Sequence, residues 1–198
     1  CSEDGRNMIP KITNDSRLEK YTRHRIEDAG IEVEVEETLT ENEYIGIKVD
    51  DYYMGLKLQG ETPKAVDYIV AVDCDCDNYA LYIMEFKNTR SPGEFTSSSV
   101  REKFDTAINR FMKKDFKEIF DNDRFKYKGI KLYLVTTAYR DAMKYGNYEE
   151  YVRIKKIVEN KDTLRNDLYL SVKPFYFRGH LLRIQREIPP NPIIRKIH

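Results

Sequence analysis

Two apolar runs, AVDYIVAV at 65–72 and ALYIMEFK at 80–87, are joined by DCDCDNY at 73–79. Asp and Asn favour turns because their side chains bond the local backbone, so the connection reads as a turn and the flanking runs as an antiparallel hairpin. The first run lacks polar alternation, which places its strand in the interior of a sheet. A hairpin centred near Cys76 sets residues at equal distance from it side by side, and Asp67 and Glu85 lie nine positions before and nine after. Directly opposed residues have Cβ atoms about 4.5–5.5 Å apart on one face, where two carboxylates repel unless a positive charge lies between them. Lys87, two residues beyond Glu85, projects from that same face. One reading is a charged cross-strand cluster on a solvated sheet edge; the other is a divalent cation held by Asp67 and Glu85.

The alternation of carboxylates and thiols in DCDCD suggests ligands, but the spacing fails. For a calcium loop starting at Asp73, the sixth position is Asn78, the twelfth is Met84, and Glu85 falls one too late. A C-x-C pair needs two further soft or imidazole ligands to hold zinc, and Cys1, His24, His180 and His198 form no second half. The histidines also lack a Ser, Cys or metal partner at motif spacing, so His24 and His180 read as surface or helix-face residues.

Elsewhere, SRLEKYTRHRIEDAG at 16–30 predicts a helix, with Ser16 and Glu19 as a capping box and Gly30 as the left-handed stop. IEVEVEE at 31–37 alternates as a half-buried strand. Residues 44–50 and 52–58 read as strands, and Ser97 to Phe120 as the longest helix, with Val100, Phe104, Ala107, Ile108, Phe111 and Met112 as its buried stripe. IKLYLVTT at 130–137 is a strand, 147–161 contains a helix, and 168–187 supplies two or three short strands. The fold class is therefore α/β, a central mixed β-sheet flanked by helices, in one domain over 1–198 with its core at about 16–137.

A chain of 198 residues closes a hydrophobic core without disulfides or a structural metal. Its three cysteines form no disulfide framework, which points to a reducing, cytoplasmic setting, and Cys1 is either a lipidated residue or simply where the sequence starts. The longest apolar run, Tyr68 to Val72, is too short to span a bilayer. Formal charge is zero, yet Glu27 to Glu43 carries eight acidic residues and no basic ones, whereas Leu168 to His198 carries six Lys and Arg against Glu187. One face suits phosphate while another repels it.

With Asp67 at the head of one strand and Glu85-Phe86-Lys87 on the next, the sequence resembles the PD-(D/E)xK nuclease superfamily. Glu19, eleven residues before Gly30, resembles the Glu of that superfamily's first helix, although a capping box also explains it; Glu27 is the fallback. The resemblance covers about Ser16 to Thr137. Val66 stands where the motif has Pro. It implies a restriction-endonuclease-like core and a metal-dependent endodeoxyribonuclease of the type II restriction class, acting on double-stranded DNA as a homodimer. It further implies Mg²⁺, with Mn²⁺ able to substitute, bound by Asp67, Glu85 and the Phe86 carbonyl, and Lys87 as the catalytic lysine.

For DNA contacts, Lys173, Arg178, Arg183 and Arg186, with His180 among them, stand in a basic, aromatic segment that reads equally as an edge strand guarded by charge. Arg90 and Ser97, Ser98 and Ser99 follow the motif strand, where a helix N-terminus suits a backbone phosphate, and Met54 is a candidate wedge between base steps. A repair or junction-resolving nuclease, and a nucleic-acid-binding domain without catalysis, are the alternatives.

Overall fold

The computed structural model describes residues 7–56, 60–88, 97–137 and 173–198. A six-stranded mixed sheet has the order β1 (Thr22–Arg23), β4 (Tyr44–Lys48), β5 (Tyr68–Asp73), β6 (Asn78–Lys87), β7 (Lys126–Thr136) and β10 (Ile184–Glu187). β1, β4, β5 and β6 are successively antiparallel, while β7 runs parallel to both β6 and β10. Two small hairpins flank it, β2 (Glu27–Asp28) with β3 (Ile31–Glu32) and β8 (Phe175–Phe177) with β9 (His180–Leu182).

The central hairpin has the register expected from its turn. Tyr68 pairs with Met84, Ile69 with Ile83 and Asp73 with Tyr79. Asp75, Cys76 and Asp77 adopt φ of 75°, 53° and 61°, and the turn closes through Cys74 N–H to Asn78 O at 2.8 Å.

Alternation along the strands divides the core in two. One face buries Ile69, Ala71, Leu81 and Ile83 against helix α1 (Met8–Thr13), helix α2 (Val49–Gly55) and the long helical segment. That segment runs as α3 (Ser97–Asp105), a π-helical stretch (Thr106–Asp115) and α4 (Lys117–Phe120). Its described side chains bury the expected stripe of Val100, Phe104, Ala107, Ile108, Phe111 and Met112. The other face packs Val70, Tyr82, Met84 and Tyr133 under Ile26, Ile31, Val33 and Ile194. There the C-terminal segment acts as a strap: Ile194 N–H donates to Glu34 O (2.8 Å), Tyr82 O–H to Arg195 O (2.8 Å), and Lys196 bridges Glu43 (2.7 Å) and Asp75 (3.3 Å).

Three expectations are corrected. Residues 16–30 are not a helix: after a short 3₁₀ turn at Glu19–Tyr21, the chain pairs Thr22 with Ile47 and Arg23 with Gly46. Gly46 permits this approach, since a Cβ there would lie 2.4 Å from Ile26 Cδ1 and 3.1 Å from Arg23 O. Gly30 (φ 75°) and Ala29 (φ 50°) instead form the two-residue turn of the β2–β3 hairpin, a conformation with both φ positive. Of the strand expected at 52–58, residues 52–56 do not form one, because Val49, Tyr52 and Tyr53 recur at helical spacing and are buried together, with Asp50 and Asp51 in the first turn of α2; 57 and 58 lie outside the described residues. The IEVEVEE alternation buries Ile31 and Val33, but only Ile31–Glu32 is strand.

The core also reaches beyond 16–137, taking in α1 before it and β10 after it. The helix expected within 147–161 lies outside the described residues. Among the described residues, no helix is long and apolar enough to cross a membrane.

Candidate active site

Asp67 precedes β5 and is 7% exposed, and Glu85, near the end of β6, is 0% exposed. The hairpin register continues from Tyr68 and Met84 to set them side by side, on the face covered by the long helix. The cluster is therefore buried rather than spread on a solvated edge. Asp67 Oδ2 accepts the Phe86 N–H at 2.6 Å. Amide and carbonyl of one strand residue point the same way, so the Phe86 carbonyl is turned toward that edge as well. Burial, reinforced by the Glu85 charge and opposed by the Phe86 N–H, pushes the Asp67 carboxyl up to about 8.

The two oxygens of Glu85 differ. Oε1 accepts from Lys87 Nζ (2.7 Å) and Lys103 Nζ (2.6 Å), while Oε2 is buried with no hydrogen-bond partner among the described residues. Burial disfavours the Lys103 ammonium, but the Glu85 carboxylate outweighs it and raises the Lys103 pKa.

Further carboxylates arrive from elements the sequence did not connect to the site. Ligand atoms of Asp28, Asp50 and Asp67 lie within 4.8 Å of one another. Asp28 ends β2, and its hairpin turn folds it over the sheet end. Asp50 sits in the first turn of α2, which begins where β4 stops; Val49 N–H donates to Asp67 O at 3.1 Å and ties the two together. Lys48 Nζ lies 2.6 Å from Asp28 Oδ2 and 3.6 Å from Asp50 Oδ1, over the Tyr68 ring at 5.1 Å. Burial works against the Lys48 ammonium, yet hydrogen bonding to Asp28 and both carboxylate charges raise it to about 12. Burial raises Asp50, whereas for Asp28 the Lys48 ammonium overcomes burial and lowers it.

Asp28, Asp50, Lys48 and Lys103 were missed from the sequence. Lys103 carried a signal, an ammonium three residues after Val100 and four before Ala107 on the buried stripe. Asp28, Asp50 and Lys48 meet only through tertiary folding. The oxygen set fits a hard cation such as Mg²⁺: clustered carboxylates, one buried oxygen without a donor, and an adjacent carbonyl.

The remaining candidates are dispersed. Glu19 is exposed on its 3₁₀ turn, and Glu27 is exposed and ion-paired with Arg25 at 3.1 Å; its neighbour Asp28 is the residue that joins the acidic group. Ser97, Ser98 and Ser99 open α3 as expected of a helix N-terminus. Met54 is 68% exposed, on helix α2 rather than a loop. Lys173 and Arg183 are exposed, His180 half-buried. Arg178 is held by Asp121 (3.9 Å) and Asp123 (3.3 Å), and the Arg186 guanidinium nitrogens are buried, so neither side chain is directed freely outward. Arg90 lies outside the described residues.

Clefts of about 570 and 610 Å³ include none of Asp28, Asp50, Asp67 and Glu85; the first is lined by Tyr82, Tyr133 and Arg195 on the other face. No family model, curated protein or solved structure matches the chain.

Proposed function

We propose that this chain is a Mg²⁺-dependent endodeoxyribonuclease with a restriction-endonuclease-like core of the PD-(D/E)xK type, hydrolysing phosphodiester bonds of double-stranded DNA. The observation that carries the reading is the buried Oε2 of Glu85, without a donor among the described residues, on the strand next to Asp67, about which Asp28 and Asp50 gather. Asp67, Glu85 and the Phe86 carbonyl would hold the ion, for which Mn²⁺ would substitute. The chemistry that Mg²⁺ would supply there is polarisation of a phosphate oxygen and a lowered pKa for the attacking water.

In this reading Lys87, anchored on Glu85 Oε1 and about one-third exposed at its side chain, orients that water and stabilises charge developing on the phosphate. Glu85 keeps Lys87 and Lys103 in place through Oε1 as well as offering its second oxygen. The products carry 5′-phosphate and 3′-hydroxyl ends. The same reading takes the chain to act as a homodimer that cleaves both strands at a specific sequence, a twofold protein matching a twofold site.

The test replaces Asp67, Glu85 and Lys87 singly by Ala and measures cutting of supercoiled and relaxed DNA in Mg²⁺ or Mn²⁺ together with DNA binding. Cleavage should fall by at least about a hundredfold in each variant while binding persists. Unchanged activity in all three would remove the site assignment. A second reading is favoured by the lysines already paired within the cluster: a nucleic-acid-binding domain without catalysis. It predicts DNA binding with no cleavage by the unaltered chain in either cation.

A further inference from the structure

We propose that Lys103 holds the place a second divalent cation would take, so that the site binds a single cation per chain. This rests on the nuclease reading above and specifies its cation requirement. A carboxylate offers two oxygens and bridges two cations when both are free. Here the two lone pairs of Glu85 Oε1 are both taken, one by Lys87 at 2.7 Å and one by Lys103 at 2.6 Å, and among the described residues Oε2 is without a donor; losing Lys103 would reopen one position on Oε1. Glu85 therefore offers one oxygen to one ion.

Lys103 reaches this position from the packed side of α3, next to the fully buried Phe104, and its side chain is 19% exposed. An ammonium in such surroundings is costly unless it is paired, and Glu85 is the pairing. Lys48 in turn pairs with Asp28 and lies near Asp50, so ammoniums meet the acidic residues at Asp28 as well as at Glu85. With every group ionised, four carboxylates (Asp28, Asp50, Asp67, Glu85) face three ammoniums (Lys48, Lys87, Lys103), which leaves one negative charge. One divalent cation reverses that charge to a single positive, which one phosphodiester neutralises. A second cation would leave an excess of two positive charges in a poorly hydrated site.

The experiment counts Mn²⁺ bound per chain by electron paramagnetic resonance on the full chain, for the unaltered protein, Lys103→Met and Lys103→Arg, with circular dichroism as the check on folding. One ion is expected for the unaltered protein and for Lys103→Arg, and two for Lys103→Met, at dissociation constants down to roughly millimolar. Two ions on the unaltered protein overturn the inference, a result that needs no variant to fold. A folded Lys103→Met chain that still takes one ion with unchanged affinity also overturns it. One bound ion with no cleavage of any DNA removes the nuclease reading and leaves the cation count standing; two ions with cleavage do the reverse. No bound Mn²⁺ removes both.

Discussion

Asp67 is asked to sit beside Glu85 where water is largely excluded, and its raised pKa of about 8 records how strongly that position disfavours a second negative charge. A carboxyl whose folded-state pKa exceeds its unfolded value of 3.8 contributes stability that is fully present below that value and is lost as pH rises toward 8. Without divalent cations, the unaltered protein should therefore lose denaturant resistance relative to Asp67→Asn between about pH 4 and 8, with no further divergence above. Parallel unfolding midpoints across that range would contradict this environment for Asp67. Adding Mg²⁺ should reverse the trend near neutral pH, since the cation favours the ionised carboxyl. At this scale, Asp67, Glu85 and Lys87 were legible because the turn of one hairpin fixes their relation. Asp28 and Asp50 were hidden because nothing local in EDAG or KVDD says which strand end they will meet.

The central hairpin, as an element, is the device that converts sequence symmetry into geometry. Its turn holds three consecutive non-glycine residues at positive φ, and only Asx residues tolerate that conformation readily. Cys76→Gly should stabilise and Cys76→Val should destabilise, each by about 1 kcal/mol, measured by thermal or chemical unfolding. Asp75→Asn should change little, because it keeps an Asx residue and loses only an exposed ion pair with Lys196. Adding one residue between Cys74 and Asp77 should shift the register and abolish cleavage far more than it lowers stability, since Asp67 would no longer stand opposite Glu85. Cleavage retained by such an insertion would separate the register from the chemistry. The segment at 16–30 shows the limit of local signals. Its capping box and Gly stop were real, but the glycine serves a hairpin and Gly46 lets strand pairing take the place of helix.

Across the whole molecule, the α/β class and the strands β4 to β7 could be read from apolar runs, whereas the strand order could not, because it is decided by pairings between distant segments. β10 joins β7 in parallel although the paired Leu132 and Ile184 are 52 positions apart in sequence. Such topology slows folding, because chain entropy is lost before the contacts that repay it form. Refolding should fall in the millisecond-to-second regime, followed by stopped-flow fluorescence of the 15 tyrosines in this tryptophan-free chain. The strap over the back of the sheet carries this furthest. Its bond from Tyr82 to Arg195 spans 113 positions, and Ile194 must also find Val35 near the opposite end of the chain. On a ribosome, the face bearing Tyr82 and Tyr133 consequently has only its cover from Ile26, Ile31 and Val33 until Ile194 and Arg195 have emerged. That interval between synthesis and closure is when the nascent chain is most open to chaperones and to misassociation with its own copies.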